Sequence, residues 1–200
     1  MSINLLCVDY QYDFCKSGGR FYQERPCHQF IDDVLVPYFL KKQIKISEII
    51  SDYSLPRPSS NLAYCVPRSW GYKSGIPSSL IKNTQWIKAM KSPEWIRAQG
   101  TPLAQPEAFT AWLELNFGPA SNQHIIVFGL TLDCCVLNTV MQLYFRGYRS
   151  SILVEATDID TPQNILPLLK SDVDYKSLYF LSSIGFYASP ITWQELQRKL

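Results

Sequence analysis

Histidine is almost missing from this chain: there are two among 200 residues, His28 and His124. A metal centre built on three imidazoles is therefore excluded. His28 is expected at a helix start and His124 where a strand begins, each as a surface or capping residue rather than a ligand. Glycine is sparse as well, with 9 residues, and no G-x-G-x-x-G follows the first apolar run, which excludes a dinucleotide-binding fingerprint. Neither sign of charge is in excess: 19 basic against 17 acidic residues give +2, and no run of like charge marks a nucleic-acid or membrane surface. No apolar run is long enough to span a bilayer, and no basic, apolar and cleavable leader precedes the first strand, so a cytoplasmic protein is expected. Six cysteines are present (Cys7, Cys15, Cys27, Cys65, Cys134, Cys135), but none in C-x-x-C spacing. They read as reduced thiols rather than a disulfide or zinc framework, and the adjacent pair Cys134 and Cys135 is poorly placed to form an ordinary disulfide.

What the chain does have is alternation. Short apolar runs, at Ile3 to Val8, Ile44 to Ile50, Ile125 to Gly129, Ser151 to Glu155 and Leu178 to Leu181, with a weaker one at Gln85 to Lys88, alternate with longer amphipathic segments. Among the latter, Ile31, Val34, Leu35, Tyr38 and Phe39 share one helical face, as do Phe109, Trp112, Leu113 and Phe117. Pro162 and Pro190 are placed to open two further helices. Strand and helix in turn predict an α/β fold, a three-layer α/β/α arrangement with a central, mostly parallel sheet and Rossmann-like topology, in one domain over residues 1–200. Residues 51–83, rich in proline and serine, break the rhythm and are expected to form a long loop lining a site.

Ligands of open parallel sheets bind beyond the C-terminal strand ends, and three reactive side chains fall there. Asp9 follows I-N-L-L-C-V, Lys88 follows T-Q-W-I, and Cys135 follows I-I-V-F-G-L-T within the segment V-F-G-L-T-L-D-C-C-V at 127–136. Val136, Val140, Leu143 and Tyr144, with Gly147 as the stop, place Cys135 in the first turn of a helix, where free N–H groups and the helix dipole favour a thiolate. Base, lysine and thiol together make an acyl-transfer set. Each also has an ordinary reading: Cys135 as a small buried hydrophobe, Asp9 as a turn carboxylate, Lys88 as a solvated cation.

D-Y-Q-Y-D-F at 9–14 resembles the opening signature of the isochorismatase-like cysteine hydrolases, and G-L-T-L-D-C-C-V at 129–136 resembles their nucleophile segment. G-Y-R-S-S-I-L-V-E-A-T at 147–157 is similar to the strand that follows. This superfamily includes nicotinamidases and N-carbamoyl amide hydrolases. The resemblance implies Asp9 as general base, Cys135 rather than Cys134 as nucleophile, and Lys88 as the active-site lysine, with Lys91 the reserve. It also implies a non-proline cis peptide between Leu130 and Thr131, an oxyanion hole from the amides of Thr131 and Cys135, and a homo-oligomer, dimer or tetramer. Gln11, Phe14, Tyr64, Trp70 and Trp86 are the residues expected to bind a small amide or carbamoyl substrate. The nicotinamidases hold a divalent ion with one aspartate and three histidines. Asp52 matches that aspartate, but Ser54 stands where the first histidine belongs, so neither metal nor cofactor is expected. The resulting expectation is a metal-independent hydrolase of C–N bonds acting through an acyl-enzyme. The alternative is a catalytically silent member that binds a metabolite or a partner protein.

Overall fold

The computed structural model describes residues 2–57, 61–82, 84–160, 176–177, 180 and 183–200. In chain order its elements are β1 (Ser2–Val8), α1 (Tyr12–Cys15), α2 (Pro26–Phe30), α3 (Val36–Lys42), β2 (Ser47–Ser51), β3 (Trp86–Lys88), β4 (Trp95–Ala98), β5 (Thr101–Ala104), α4 (Pro106–Phe117), β6 (Gln123–Leu130), α5 (Leu137–Phe145), β7 (Arg149–Asp158), β8 (Ser189–Ile191) and α6 (Trp193–Gln197). A π-helical turn, Ile31–Leu35, joins α2 to α3, and another, Leu132–Val136, leads into α5.

Six strands form one sheet in the order β3-β2-β1-β6-β7-β8, and every pairing is parallel. Side-chain alternation explains the layers. Along β1, Leu5 and Cys7 face one core with Ile31, Leu35 and Phe39. Leu6 and Val8 face the other with Phe109, Leu113, Val140 and Leu143. β6 divides the same way, Ile126 and Phe128 on the first side and Ile125 and Val127 on the second. Period-2 strands apolar on both faces require helices on both faces, which gives the three-layer α/β/α fold. The chain winds outward from β1 in one direction through β2 and in the other through β6, so the switch point lies between the C-terminal ends of β1 and β6. There the two strands come unusually close. A Cβ on Gly129 would lie 2.1 Å from the Val8 carbonyl oxygen, and its φ of +114° suits glycine alone.

One expectation changes and one element is new. Pro190 does not open a helix: Ser189–Ile191 is the edge strand β8, where a missing N–H is tolerated. α6 starts instead after Thr192, whose hydroxyl and Glu195 form a reciprocal capping box. The hairpin β4-β5 was not anticipated; Gln99 (φ 50°) and Gly100 (φ 82°) make its two-residue turn. The strand near Leu178–Leu181 and the helix from Pro162 lie mostly or wholly outside the described residues.

Candidate active site

Asp9, Lys88 and Cys135 meet at the switch point. Alternation along β2 and β3 delivers two of the contributing elements: Ile49, Ser51 and Tyr53 share a face, as do Trp86 and Lys88, and Ile49 and Trp86 pack in the same core as Cys135. Alternation would send Asp9 to the face of Cys7. Its left-handed φ of 53° interrupts the strand and turns the carboxylate toward β2, a conformation aspartate tolerates better than most residues. The Leu130–Thr131 peptide bond is cis. It leads directly into the turn that carries Cys135.

The Lys88 ammonium is the hub. It lies 2.7 Å from Asp9 Oδ2, 2.8 Å from Ser51 Oγ, 2.7 Å from the Tyr53 hydroxyl, 3.2 Å from the Met90 carbonyl and 3.3 Å from Cys135 Sγ. The Ser51 hydroxyl accepts from Lys88 and donates to Asp9 Oδ1 at 2.8 Å. Oδ2 has the ammonium as its close neighbour, and a carboxylate oxygen with one partner keeps a second lone pair for another proton. Lys88 is completely buried. Burial opposes its charge, but the Asp9 carboxylate beside it offsets that and holds the ammonium well above its ordinary pKa. Tyr53 is pushed up by burial and by Cys135, and stays a phenol. Its oxygen accepts from Lys88 and lies 3.4 Å from Cys135 Sγ, so its own proton points naturally to sulfur.

The thiol differs from the expectation drawn from helix position. The hydrogen bond with Cys134, together with burial, pushes Cys135 well above its ordinary value, against the pull of Lys88. The same bond draws Cys134 down to about 7, with Lys91 assisting. Cys135 therefore rests as a protonated thiol in need of a base. Both cysteines reach the wall of one cavity of about 760 Å³, which also exposes Asp9, Thr131, Phe14 and Tyr64. Cys134 thus lines the cavity while also packing against the core that holds Cys135. Lys88 stands behind that wall. Lys91 is exposed, which leaves Lys88 as the lysine in contact with Asp9 and Cys135.

Three expected substrate-binding residues lie elsewhere. Gln11 is buried and acts as a strand partner: its amide donates to the Ser51 and Tyr72 carbonyls and accepts from the Ser51 N–H. Trp70 lies on Tyr12 with ring centroids 5.1 Å apart. Trp86 packs on Phe109 and Trp112 and donates to the Pro93 carbonyl. It sits two residues below Lys88 and so beneath α4. Ser51 and Tyr53 were missed, because no motif marks them. Residues 51–83 do contribute to the cavity through Tyr53, Arg57 and Tyr64. Asp13 ties this loop down through the Cys65 N–H, and Gly71 packs so closely that a Cβ would fall 2.1 Å from the Asp13 carboxyl carbon.

The donor set does not suit the divalent ion of the nicotinamidases. Asp52 accepts from the Ser54 N–H and hydroxyl and lies 3.4 Å from Arg97 Nε, so it organises its loop. His28 is buried, not at the surface: it packs against Tyr10 and Tyr22, and burial lowers its pKa to about 4. His124 bonds to Ser151 at the far end of β6. Among the described residues no group of three or more His, Cys, Asp or Glu side chains is arranged to hold a metal, and no helix is long and apolar enough to cross a membrane.

No family model and no curated protein matches the sequence. Solved structures do match in shape. An isochorismatase-like hydrolase from Alkaliphilus metalliredigens superposes with a TM-score of 0.65 at 15% identity, over 100% of this chain and 99% of its own. N-carbamoylsarcosine amidase from Thermoplasma acidophilum gives 0.63 at 16%, over 96% of each chain. Nicotinamidase from Bacillus subtilis gives 0.61 at 18%, over 95% and 99%. Over essentially its whole length, this chain has the isochorismatase-like fold.

Proposed function

We propose that the chain is a metal-independent cysteine hydrolase that cleaves a C–N bond in a small amide or carbamoyl compound through an acyl-enzyme. One observation carries the reading: Asp9 Oδ2 and Cys135 Sγ lie 2.7 and 3.3 Å from one fully buried ammonium, and both open onto the same cavity. Such a cluster balances charge through a proton transfer from thiol to carboxylate. Lys88 compensates whichever of the two carries the negative charge, and the Tyr53 hydroxyl can donate to the thiolate.

In the first half-reaction Asp9 takes the Cys135 proton and sulfur bonds to the substrate carbonyl carbon. The oxyanion falls to the backbone N–H groups of Thr131 and Cys135. The Thr131 carbonyl accepts from Cys134 and Val136, at 3.1 and 3.0 Å, and passes over the Cys135 N–H between them. Loss of one such donor typically costs on the order of a hundredfold in rate. Collapse breaks the C–N bond, and the amine or ammonia leaves with the proton from Asp9. Water, deprotonated by Asp9, then releases the acid and regenerates the thiol. Net, amide and water give acid and amine.

The test is a panel of small amides and ureides followed by intact-protein mass spectrometry. Hydrolysis with a trapped acyl group on Cys135 is the expected result. An inert panel together with an unreactive Cys135 would favour the silent binding protein.

A further inference from the structure

Three cationic side chains, Arg25, Arg57 and Lys91, line the cavity beside two carboxylates, Asp9 and Asp160. Asp9 is taken by the buried Lys88. Asp160 is taken by Arg25, 3.2 Å away, whose guanidinium also meets Gln23 and the Ile159 carbonyl. Lys91 is exposed, so solvent screens its charge. Arg57 remains. Among the described residues no carboxylate pairs with it, and its partners are neutral: the Tyr64 hydroxyl at 3.2 Å and the Leu62 carbonyl at 2.7 Å. Its Nε–H is buried without a partner.

The guanidinium is also held in place. Its carbon lies 4.7 Å from the Tyr53 ring centroid and 4.4 Å from that of Tyr64, so two aromatic faces fix the plane of the fork. Tyr53 is the residue whose hydroxyl touches Cys135 Sγ. Arg57 is therefore one tyrosine ring and one hydrogen bond away from the nucleophile, on the wall of the same cavity. An immobilised cation with unused N–H donors and no counter-charge matches a planar anion, which arginine takes in bidentate fashion.

We infer that Arg57 is the residue that selects the substrate: it holds a carboxylate at the end of an amide or carbamoyl compound remote from the carbonyl attacked by Cys135. This rests on the reading of Cys135 as nucleophile. The substrate class is then an ω-amide or N-carbamoyl derivative with a terminal carboxylate, separated from the reacting carbonyl by a short chain or ring.

The test compares matched pairs from succinamate and glutaramate to adipamate, each against its neutral diamide, in the wild type, Arg57→Gln and Arg57→Lys. At one chain length the wild type should favour the acid over the diamide by tenfold or more in kcat/KM. Arg57→Gln should reduce that ratio at least tenfold, and Arg57→Lys should restore part of it. A ratio that Arg57→Gln leaves unmoved, or a wild-type preference for the diamides, overturns the proposal while the hydrolase reading stands. Should no compound turn over, butanoate, pentanoate and hexanoate are tested as protectants of Cys135 against iodoacetamide, with tandem mass spectrometry separating the two cysteines. Protection by the acids but not by the corresponding alcohols, lost in Arg57→Gln, retains the anion subsite without the hydrolase. Absence of protection rejects it.

Discussion

Glu48 offers a measurement of how the sheet beneath the site is held. It lies in β2 opposite Cys7 and is completely buried. Its carboxylate accepts from the Ser74 hydroxyl and the Gln85 amide, and among the described residues no cation pairs with it. Burial raises its pKa from 4.5 to about 7. Below about pH 4.5 the folded and unfolded chains both hold this proton, and the residue carries no ionisation penalty. Between 4.5 and 7 the unfolded chain releases it while the folded chain retains it, so stability falls as pH rises. Above 7 both are ionised and the loss levels off. A difference of about 2.5 pKa units at 1.36 kcal/mol each gives a penalty of about 3 kcal/mol at pH 8 and under ~1 kcal/mol at pH 5. Glu48→Gln keeps an acceptor for Ser74, and rotation of the Gln85 amide restores the second bond. Urea unfolding followed by tryptophan fluorescence should therefore find the variant about 3 kcal/mol more stable than wild type at pH 8, with the gap closing toward pH 5. Titrations common to both proteins, such as that of His28, cancel in the comparison. Parallel stability profiles for the two chains would refute the assignment of a buried, neutral carboxyl.

At the site, Cys135→Ser should abolish turnover with the fold intact, while Cys134→Ser retains turnover; kinetics and acyl-adduct mapping on both variants check this. Lys88→Met leaves the Asp9 charge buried without its partner, so it should lower kcat/KM at least a hundredfold and cost about 3–5 kcal/mol in urea unfolding. Turnover should survive a strong chelator; loss that zinc, iron or manganese restores would show that donors other than histidine hold an essential ion.

How much of this was legible in the sequence follows from where each residue lies. The layers were readable because β1 and β6 are apolar on both faces and the helices between them are long and periodic. Asp9, Lys88 and Cys135 were readable because each ends a strand and two of them sit in distinctive segments. β8 was misread because Pro190 suits a helix start in isolation; the stronger signal, Thr192 with Glu195 three residues on, names the true cap. The Gln99-Gly100 turn of the hairpin was overlooked in the same way. Gln11, Trp70 and Trp86 were assigned to substrate by residue type, but type does not say which way a side chain points. Trp86, two residues before Lys88, shares its face and lies one step deeper.

The same alternation could have found what was missed. Once Ile49 is assigned to the core that holds Cys135, Ser51 and Tyr53 must follow on that face, with Lys88 two residues beyond Trp86 on the adjacent strand. Their polar groups then fall beyond the last apolar layer, where an ammonium buried among carbons would be untenable without acceptors. Ser51 Oγ, the Tyr53 hydroxyl and the Met90 carbonyl are those acceptors. A lysine at the end of a buried strand thus requires polar residues at the matching position of its neighbour. In this chain that requirement places the Tyr53 hydroxyl against both the ammonium and the thiol, and its ring in turn carries Arg57 at the cavity wall.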